Sequence, residues 1–406
     1  MITRRSVLAT AAVSIAAKPA LLGGEKVRST PWPSWPIVRQ EEETAILGAL
    51  RSGRWGRGNG KLVDAFEAQY AKLTGSTHCL ATSSGTSALV TALGALDLKP
   101  GDEVIVPPYT FVATVNAVMM YGAKPVFVDS ELDTFQIDAS KVEAAITPRT
   151  RAIMPVHLGG AAADLDTILA LAKRKNLPVI VDACQAHLGQ WRGRQVGTWG
   201  LAGCFSFQAS KNLNSGEGGA VLTGDPEFLE KCFTFHNNGR GRKTPSTTFS
   251  YETRGSNLRL TEFQAALLMA QMTRVEAQAA TRSENAAYLT KLLKEIPGVS
   301  PQRLHSGCTR NAWHLYMFRY EGKVPRDKFV AALRAEGVPC STGYVPLNRE
   351  PFLGKEQAES CPVNDRLCAQ AVWFTQTMLL DNKQGMDQIG QAIRKIEGSA
   401  DKISRA

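Results

Sequence analysis

At 406 residues, 44 % of them apolar and 21 % charged, the chain is too long for one ordinary domain and too apolar for disorder, so two or three domains with a large buried core are expected. The formal net charge of +10 suits anionic small molecules or an anionic surface. Apart from the local cluster Arg240, Arg242 and Lys243, however, there is no long basic run, zinc-finger spacing or RNP-like motif, and the eight cysteines (79, 184, 204, 232, 308, 340, 361 and 368) include no Cys-x-x-Cys pair, which argues against nucleic acid, zinc and a disulfide scaffold and for buried free thiols.

The chain begins with a charged start and a weakly apolar run over residues 1–17 that is too short to cross a membrane as an ordinary helix. Within it, Thr3-Arg4-Arg5-Ser6-Val7-Leu8 has the form of a twin-arginine export signal. Residues 1–24 are therefore read as a signal segment, with export of the folded protein to the periplasm or cell envelope expected. A frayed extension on a cytoplasmic protein is the alternative. No clean small-x-small cleavage site precedes Leu21-Leu22-Gly23-Gly24, which leaves a retained tether open.

A Pro/Trp-rich lead-in over 31–36 precedes a helix predicted over 40–50 and a glycine-rich loop over 51–60. That loop follows no strand and lacks Gly-Lys-Ser/Thr, so it is read as a mobile loop bordering the substrate rather than a nucleotide loop. Leu62, Phe66, Tyr70 and Leu73 recur at helical spacing. From His78 onward, strands over 79–82, 103–107, 125–129, 152–156 and 178–182 alternate with helices over 88–98, 113–121, 140–146 and 165–175. Continuous Val/Ile runs between amphipathic helices imply a mainly parallel sheet buried on both faces, with ligands gathering at the strands' carboxyl ends. Strands over 203–207 and 219–223 follow, then a long helical region over 261–295. Past Pro297-Gly298 the pattern changes to a strand over 313–320 and helices over 326–336 and 364–374. The expected division is a large unit over 25–275 and a small C-terminal α+β unit over 276–406.

Between the strands over 203–207 and 219–223, Ser206-Phe-Gln-Ala-Ser-Lys-Asn-Leu-Asn-Ser-Gly-Glu-Gly-Gly219 places Lys211 at a strand mouth among small residues. There its pKa can fall and its amine can form a Schiff base. A lysine used in this way points to pyridoxal phosphate (PLP), although taken alone Lys211 reads more readily as one surface lysine among many. Ser84-Gly85-Thr86 follows a strand and opens a helix, a place for a phosphate or simply an N-cap. Asp182 ends an apolar strand, where a pyridinium N–H would keep it ionised. Asp129 ends a similar strand, and Gln185, three residues beyond Asp182 and able to reach the cofactor's phenolic oxygen, favours Asp182. Asp129 is then a turn or cap residue. Phe111 is placed to stack on the ring or to pack in the core.

Over about residues 37–350 the chain resembles the DegT/DnrJ/EryC1/StrS family of PLP-dependent sugar aminotransferases, a branch of the aspartate-aminotransferase fold (fold type I). The motifs are Ser84-Gly-Thr-Ser-Ala-Leu89, Thr110-Phe-Val-Ala-Thr114, Pro155-Val-His-Leu-Gly159, Asp182-Ala-Cys-Gln-Ala-His187, Ser206-Phe-Gln-Ala-Ser-Lys211, Gly216-Glu-Gly-Gly219 and Gly255-Ser-Asn-Leu-Arg259. The Trp32-Pro-Ser-Trp-Pro36 segment and the lysine motif look most like the branch acting on inososes and in aminohydroxybenzoate synthesis. The resemblance implies an α/β fold with a seven-stranded-type sheet and Lys211 as the Schiff-base lysine. It implies Asp182 at the pyridine nitrogen, Gln185 at the phenolic oxygen, Gly85, Thr86 and Ser206 at the phosphate, and Phe111 on the ring. It also implies a homodimer in which Asn257 reaches the neighbouring subunit's phosphate. The activity implied is amino transfer from L-glutamate or L-glutamine to a keto-sugar or keto-cyclitol, with Lys211 moving the proton. His314, Tyr316, Tyr344 and Asn348 are candidates to touch substrate, and His236, Asn237, Arg240 and Arg242 to meet an anionic donor. The rivals are an aminohydroxybenzoate-synthase-like enzyme, a sugar dehydratase of similar fold, against which Lys211 speaks because a histidine takes that place there, and a non-catalytic exported PLP-binding protein.

Overall fold

The Val/Ile runs pair into one sheet because each is apolar on both faces and has helices on either side to bury it. In the computed structural model, which describes residues 18–242, 250–354 and 360–406, the strands are His78–Thr82 (β1), Glu103–Val106 (β2), Lys124–Phe127 (β3), Thr150–Ile153 (β4), Ile180–Asp182 (β5), Ala202–Ser206 (β6) and Gly219–Thr223 (β7). β2 pairs in parallel with β3 and β4, and β5 with β6; parallel bridges at Ile153–Val179 and Val156–Asp182 join the two groups. β7 lies antiparallel between β6 and β1. The order is therefore β1-β7-β6-β5-β4-β2-β3, parallel except for β7.

The helices beside this sheet are Gln40–Arg51 (α1), Leu62–Thr74 (α2), Gly85–Ala95 (α3), Ala113–Met119 (α4), Leu165–Lys175 (α5), Pro226–His236 (α6), Glu262–Met272 (α7) and Val275–Lys294 (α8). Leu80, Val104, Val106 and Cys204 pack on one face with α3, α4 and α6. Ala81, Ile105, Val181 and Phe205 pack on the other with α2, α5 and α7. All eight cysteines are free thiols, with Cys79, Cys204, Cys232 and Cys361 buried.

Three expected elements change form. The helix over 140–146 is instead two 3-10 turns, Ala139–Lys141 and Glu143–Ala145, because Pro148 disfavours helical backbone at Thr147 and leaves too few residues to propagate an α-helix. The helical region over 261–295 breaks between α7 and α8, where Arg274 turns inward to pair with Glu42 at 2.5 Å and to donate to the Ile37 carbonyl at 2.8 Å. The helix over 364–374 becomes Pro362–Gln370 followed by the strand Ala371–Thr375. Val372, Trp373, Phe374 and Thr375 are strand formers, and the edge of Leu315–Tyr320 is open to pair antiparallel with them.

With Val299–Pro301 (β8), Leu315–Tyr320 (β9) and Ala371–Thr375 (β10), the C-terminal part forms a second, three-stranded sheet. Phe318 and Phe374 pack there against Phe329 and Leu333 of Arg326–Ala335 (α9), and Pro362–Gln370 (α10) precedes Lys383–Glu397 (α11), which adds Ile389 and Ile393. α8 serves both cores, Val275 and Ala279 in the first and Ala286, Leu289 and Leu293 in the second. The lead-in also packs on the second core, through Leu22, Val27 and Trp32, with Arg28 paired to Asp381 at 2.8 Å. The Phe329 ring stacks on Tyr320 with centroids 3.7 Å apart. Phe329→Ala is expected to cost about 3–5 kcal/mol through the cavity it leaves, read as a lower urea midpoint. No helix among the described residues is long and apolar enough to cross a membrane.

Candidate active site

Beyond the carboxyl ends of β5 and β6 lies a cavity of about 520 Å³, lined among others by Ser84, Gly85, Thr86, Phe111, Asp182, Gln185, Ser206, Lys211, His314 and Tyr344. Parallel strands whose polar side chains start where pairing ends make this the natural convergence point. A larger space of about 730 Å³ beside α1, α2 and α7 holds none of these residues.

Lys211 sits in a loop closed by its neighbours' backbone. Phe207 N–H donates to the Gly218 carbonyl at 2.7 Å, Ala209 N–H to Gly216 at 2.9 Å and Lys211 N–H to Gln208 at 2.8 Å. The Trp35 indole holds the Ala209 carbonyl from outside at 2.9 Å. The ammonium is held below its ordinary pKa by burial, against the opposing pull of Cys184, Asp182 and Glu217. Its Nζ lies 3.4 Å from His314 Nε2.

Asp182, 4 % exposed, accepts from the Thr114 hydroxyl at 2.8 Å and from Cys184 N–H at 3.1 Å. Thr114 is in turn 2.9 Å from Thr110 across one helical turn. No described cation pairs with this buried carboxylate. Gln185 Oε1 accepts from Gly159 N–H at 2.8 Å, and its amide donates to Tyr344 Oη at 2.9 Å. Burial pushes the Tyr344 hydroxyl up to about 12.

Ser84 caps α3, accepting from Ser87 N–H at 3.0 Å, which starts the helix three residues earlier than expected. Gly85 is required there: a Cβ would lie 2.5 Å from Ser206 Cβ, so only glycine lets the helix N-terminus close onto the end of β6. Thr86 and Phe111 are exposed at the cavity, Phe111 by 56 %.

Asp129 is a cap, as expected. Its carboxylate accepts from Val363 and Asn364 N–H, at 3.1 and 2.9 Å, at the start of α10. Of the substrate candidates, His314 and Tyr344 line the cavity, but Tyr316 and Asn348 do not. Tyr316 lies in the second core, 2.8 Å from the Thr290 hydroxyl and stacked on Phe374, because it sits within β9, whereas His314 precedes the strand and is free of its alternation. Asn348 is buried and accepts from the Asn364 amide at 2.9 Å.

Nor does the structure bring His236, Asn237, Arg240 and Arg242 to Lys211. His236 is buried against the Phe233 carbonyl at 2.6 Å, and the other three line a separate cleft with Arg57 and Arg259. The glycine-rich loop borders that cleft instead, anchored by Arg57 on Glu67 at 2.5 and 2.8 Å. Lys243 lies outside the described residues. Asn257 is exposed and outside the Lys211 cavity.

Thr114, Asn212 and Trp373 also serve the site, on weaker sequence signals. Thr110 and Thr114, spaced i,i+4 around Phe111, were a signal for the first. Asn212 directly follows the lysine. Trp373 was hidden by the helix expected there, since only the strand turns it into the cavity.

Residues 36–394 match the model of the DegT/DnrJ/EryC1/StrS aminotransferase family. The chain belongs to this family. As a member, it is an aminotransferase of fold type I. It is 35 % identical over 392 residues to the 3-amino-5-hydroxybenzoate synthase of Amycolatopsis mediterranei, covering 93 % of this chain and 99 % of that protein. It is 37 % identical over 417 residues to an L-glutamine:2-deoxy-scyllo-inosose aminotransferase of Streptoalloteichus tenebrarius, covering 93 % and 97 %. The crystal structure of 3-amino-5-hydroxybenzoic acid synthase superposes with a TM-score of 0.86 at 34 % identity, covering 93 % of this chain and all of that one. The resemblance to the inosose and aminohydroxybenzoate branch is thus borne out.

Proposed function

We infer that this aminotransferase uses PLP to move an amino group from L-glutamine or L-glutamate to a keto-cyclitol or keto-sugar. The observation that carries the reading is the convergence of the Lys211 amine, the Asp182 carboxylate and the N-terminus of α3 on one cavity. The residues fit the cofactor. Asp182 is a buried carboxylate with neutral donors and no described cation, the partner a pyridinium N–H needs. Gly85 and Thr86 lie at the N-terminus of α3 with Ser206 of β6 against them, which suits a phosphate. Gln185 stands by for the phenolic oxygen, and Phe111 offers an open ring face. When bound, PLP supplies an electron sink conjugated to the amino-bearing carbon.

The rest is done by the chain. Asp182 keeps the pyridine nitrogen protonated, and Thr114 and Cys184 N–H fix its carboxylate. Lys211, depressed in pKa by burial, takes the proton from the substrate carbon and returns it. Tyr344 and Gln185 close the wall opposite. Asn257 completes a neighbouring subunit's phosphate site, so the working unit is a homodimer, and the units over 25–275 and 276–406 are its large and small domains, except that the lead-in through Val27, Arg28 and Trp32 packs on the small one. Glutamine as donor and a cyclitol as acceptor are supported by the names of relatives 36–37 % identical over 93 % of the chain.

The test is an assay of L-glutamine and L-glutamate against 2-deoxy-scyllo-inosose and nucleotide-linked keto-sugars, with the amino product read by mass spectrometry. Amination of the inosose is expected. Donor consumption with neither acceptor class, or formation of an aromatic amine instead, contradicts the reading. Export by the twin-arginine segment belongs to the same proposal, residues 1–17 lying outside the described ones; fractionation of the producing cell should find the protein outside the cytoplasm.

A further inference from the structure

His314 approaches the lysine from the opposite sheet, one residue before β9, and its two ring nitrogens have different partners. Nδ1 lies 3.3 Å from Asn212 Oδ1 and Nε2 lies 3.4 Å from Lys211 Nζ. Asn212 is itself oriented, its amide Nδ2 donating to the Ala312 carbonyl at 2.7 Å, so the atom it turns to the imidazole is its carbonyl oxygen. A carbonyl oxygen only accepts. His314 therefore carries its hydrogen on Nδ1, and Nε2 is a bare acceptor facing Nζ. His314 and Asn212 are both buried, and neither ring nitrogen of His314 meets a carboxylate, so nothing nearby favours the imidazolium.

We propose that His314 is a positioning residue for Lys211. Held in one tautomer by Asn212, it draws one Nζ hydrogen toward itself and so turns the amine's lone pair into the cavity. This rests on the reading that Lys211 supplies the reacting amine, and it replaces the expectation that His314 touches substrate. The two hydrogen bonds of His314 are long and individually weak, but the chain Lys211–His314–Asn212–Ala312 links the loop after β6 to the segment that leads into β9. The lysine is thus aimed only when the two parts of the protein are docked.

The sign of the effect follows from the chemistry. A neutral acceptor stabilises an ammonium more than an amine, so removing it lowers the lysine's pKa. The other groups facing Lys211 are Asp182, Cys184 and Glu217, and those facing His314 are His187 and Arg282; all stay in place in the variants below.

The test is the pH dependence of Lys211 carbamylation by cyanate in the cofactor-free full chain, mapped by peptide mass spectrometry, beside kcat and KM of the PLP-loaded enzyme. In His314→Phe the half-point is expected to fall by about one pH unit and kcat by about 10- to 100-fold, with both KM values within about twofold. His314→Gln, whose Oε1 can accept the same hydrogen, should restore most of both. If His314→Phe does not fold, Asn212→Leu carries the test: freeing the tautomer lets Nε2–H face the amine and should move the half-point the same way. An unmoved half-point in a folded variant, or a raised acceptor KM at unchanged kcat, overturns the proposal. Transamination that survives in Lys211→Ala would sink the reading beneath it instead, and would leave the labelling result standing.

Discussion

Replacing Lys211 with alanine is expected to lower kcat by about four orders of magnitude or more, the scale seen when a group that forms bonds in the reaction is deleted. The loss should fall on kcat rather than KM, because the phosphate end of the cavity, Gly85, Thr86 and Ser206, and the carboxylate of Asp182 are untouched. Lys211→Arg is the stringent companion. It restores length and positive charge, yet a guanidinium stays protonated and cannot act as nucleophile or base. Equal inactivity in both variants would assign the effect to the neutral amine, which burial favours at this site. Activity recovered in Lys211→Arg would mean that only a cation is needed there.

Asp182→Asn should lower kcat by about two to four orders of magnitude with much smaller changes in KM. The substitution is nearly isosteric, and an amide oxygen can still accept from the Thr114 hydroxyl or from Cys184 N–H, which now hold the carboxylate at 2.8 and 3.1 Å. What the amide lacks is the charge that keeps a pyridine nitrogen protonated. Stability should change little, since Asp182 has no described ion-pair partner to lose. A loss of similar size in Thr114→Val would instead show that orientation of the carboxylate matters as much as its charge. Steady-state rates together with thermal midpoints of both variants separate these outcomes.

Much of this site was readable in the residues. Lys211, Asp182 and Ser84-Gly85-Thr86 each stand where a strand stops and a polar turn begins, and a doubly buried parallel sheet puts all such ends on one edge. Gly85 adds a constraint visible only in three dimensions, the close approach of α3 to Ser206. The substrate candidates fared differently for a geometric reason. His314 and Tyr316 are two residues apart, but the first precedes β9 while the second lies within it, so one meets Lys211 and the other enters the second core. Whether a side chain sits just before a strand or on it decides its surroundings, and strand boundaries are the weakest part of any reading from periodicity. The strand Ala371–Thr375 reads as helix in isolation because its pairing partner, Leu315–Tyr320, lies more than fifty residues earlier. Likewise, nothing local shows that Val27 and Trp32 pack on the second core; that contact exists only once α9 and α11 have built the surface.

The most direct measurement is borohydride reduction of the protein loaded with PLP, followed by protease digestion and mass spectrometry of the peptides. A pyridoxyl phosphate group on the peptide carrying Lys211, and its loss in Lys211→Ala, is the predicted result. The same group on another lysine, or on none, would contradict the account however well the cavity is shaped to receive it.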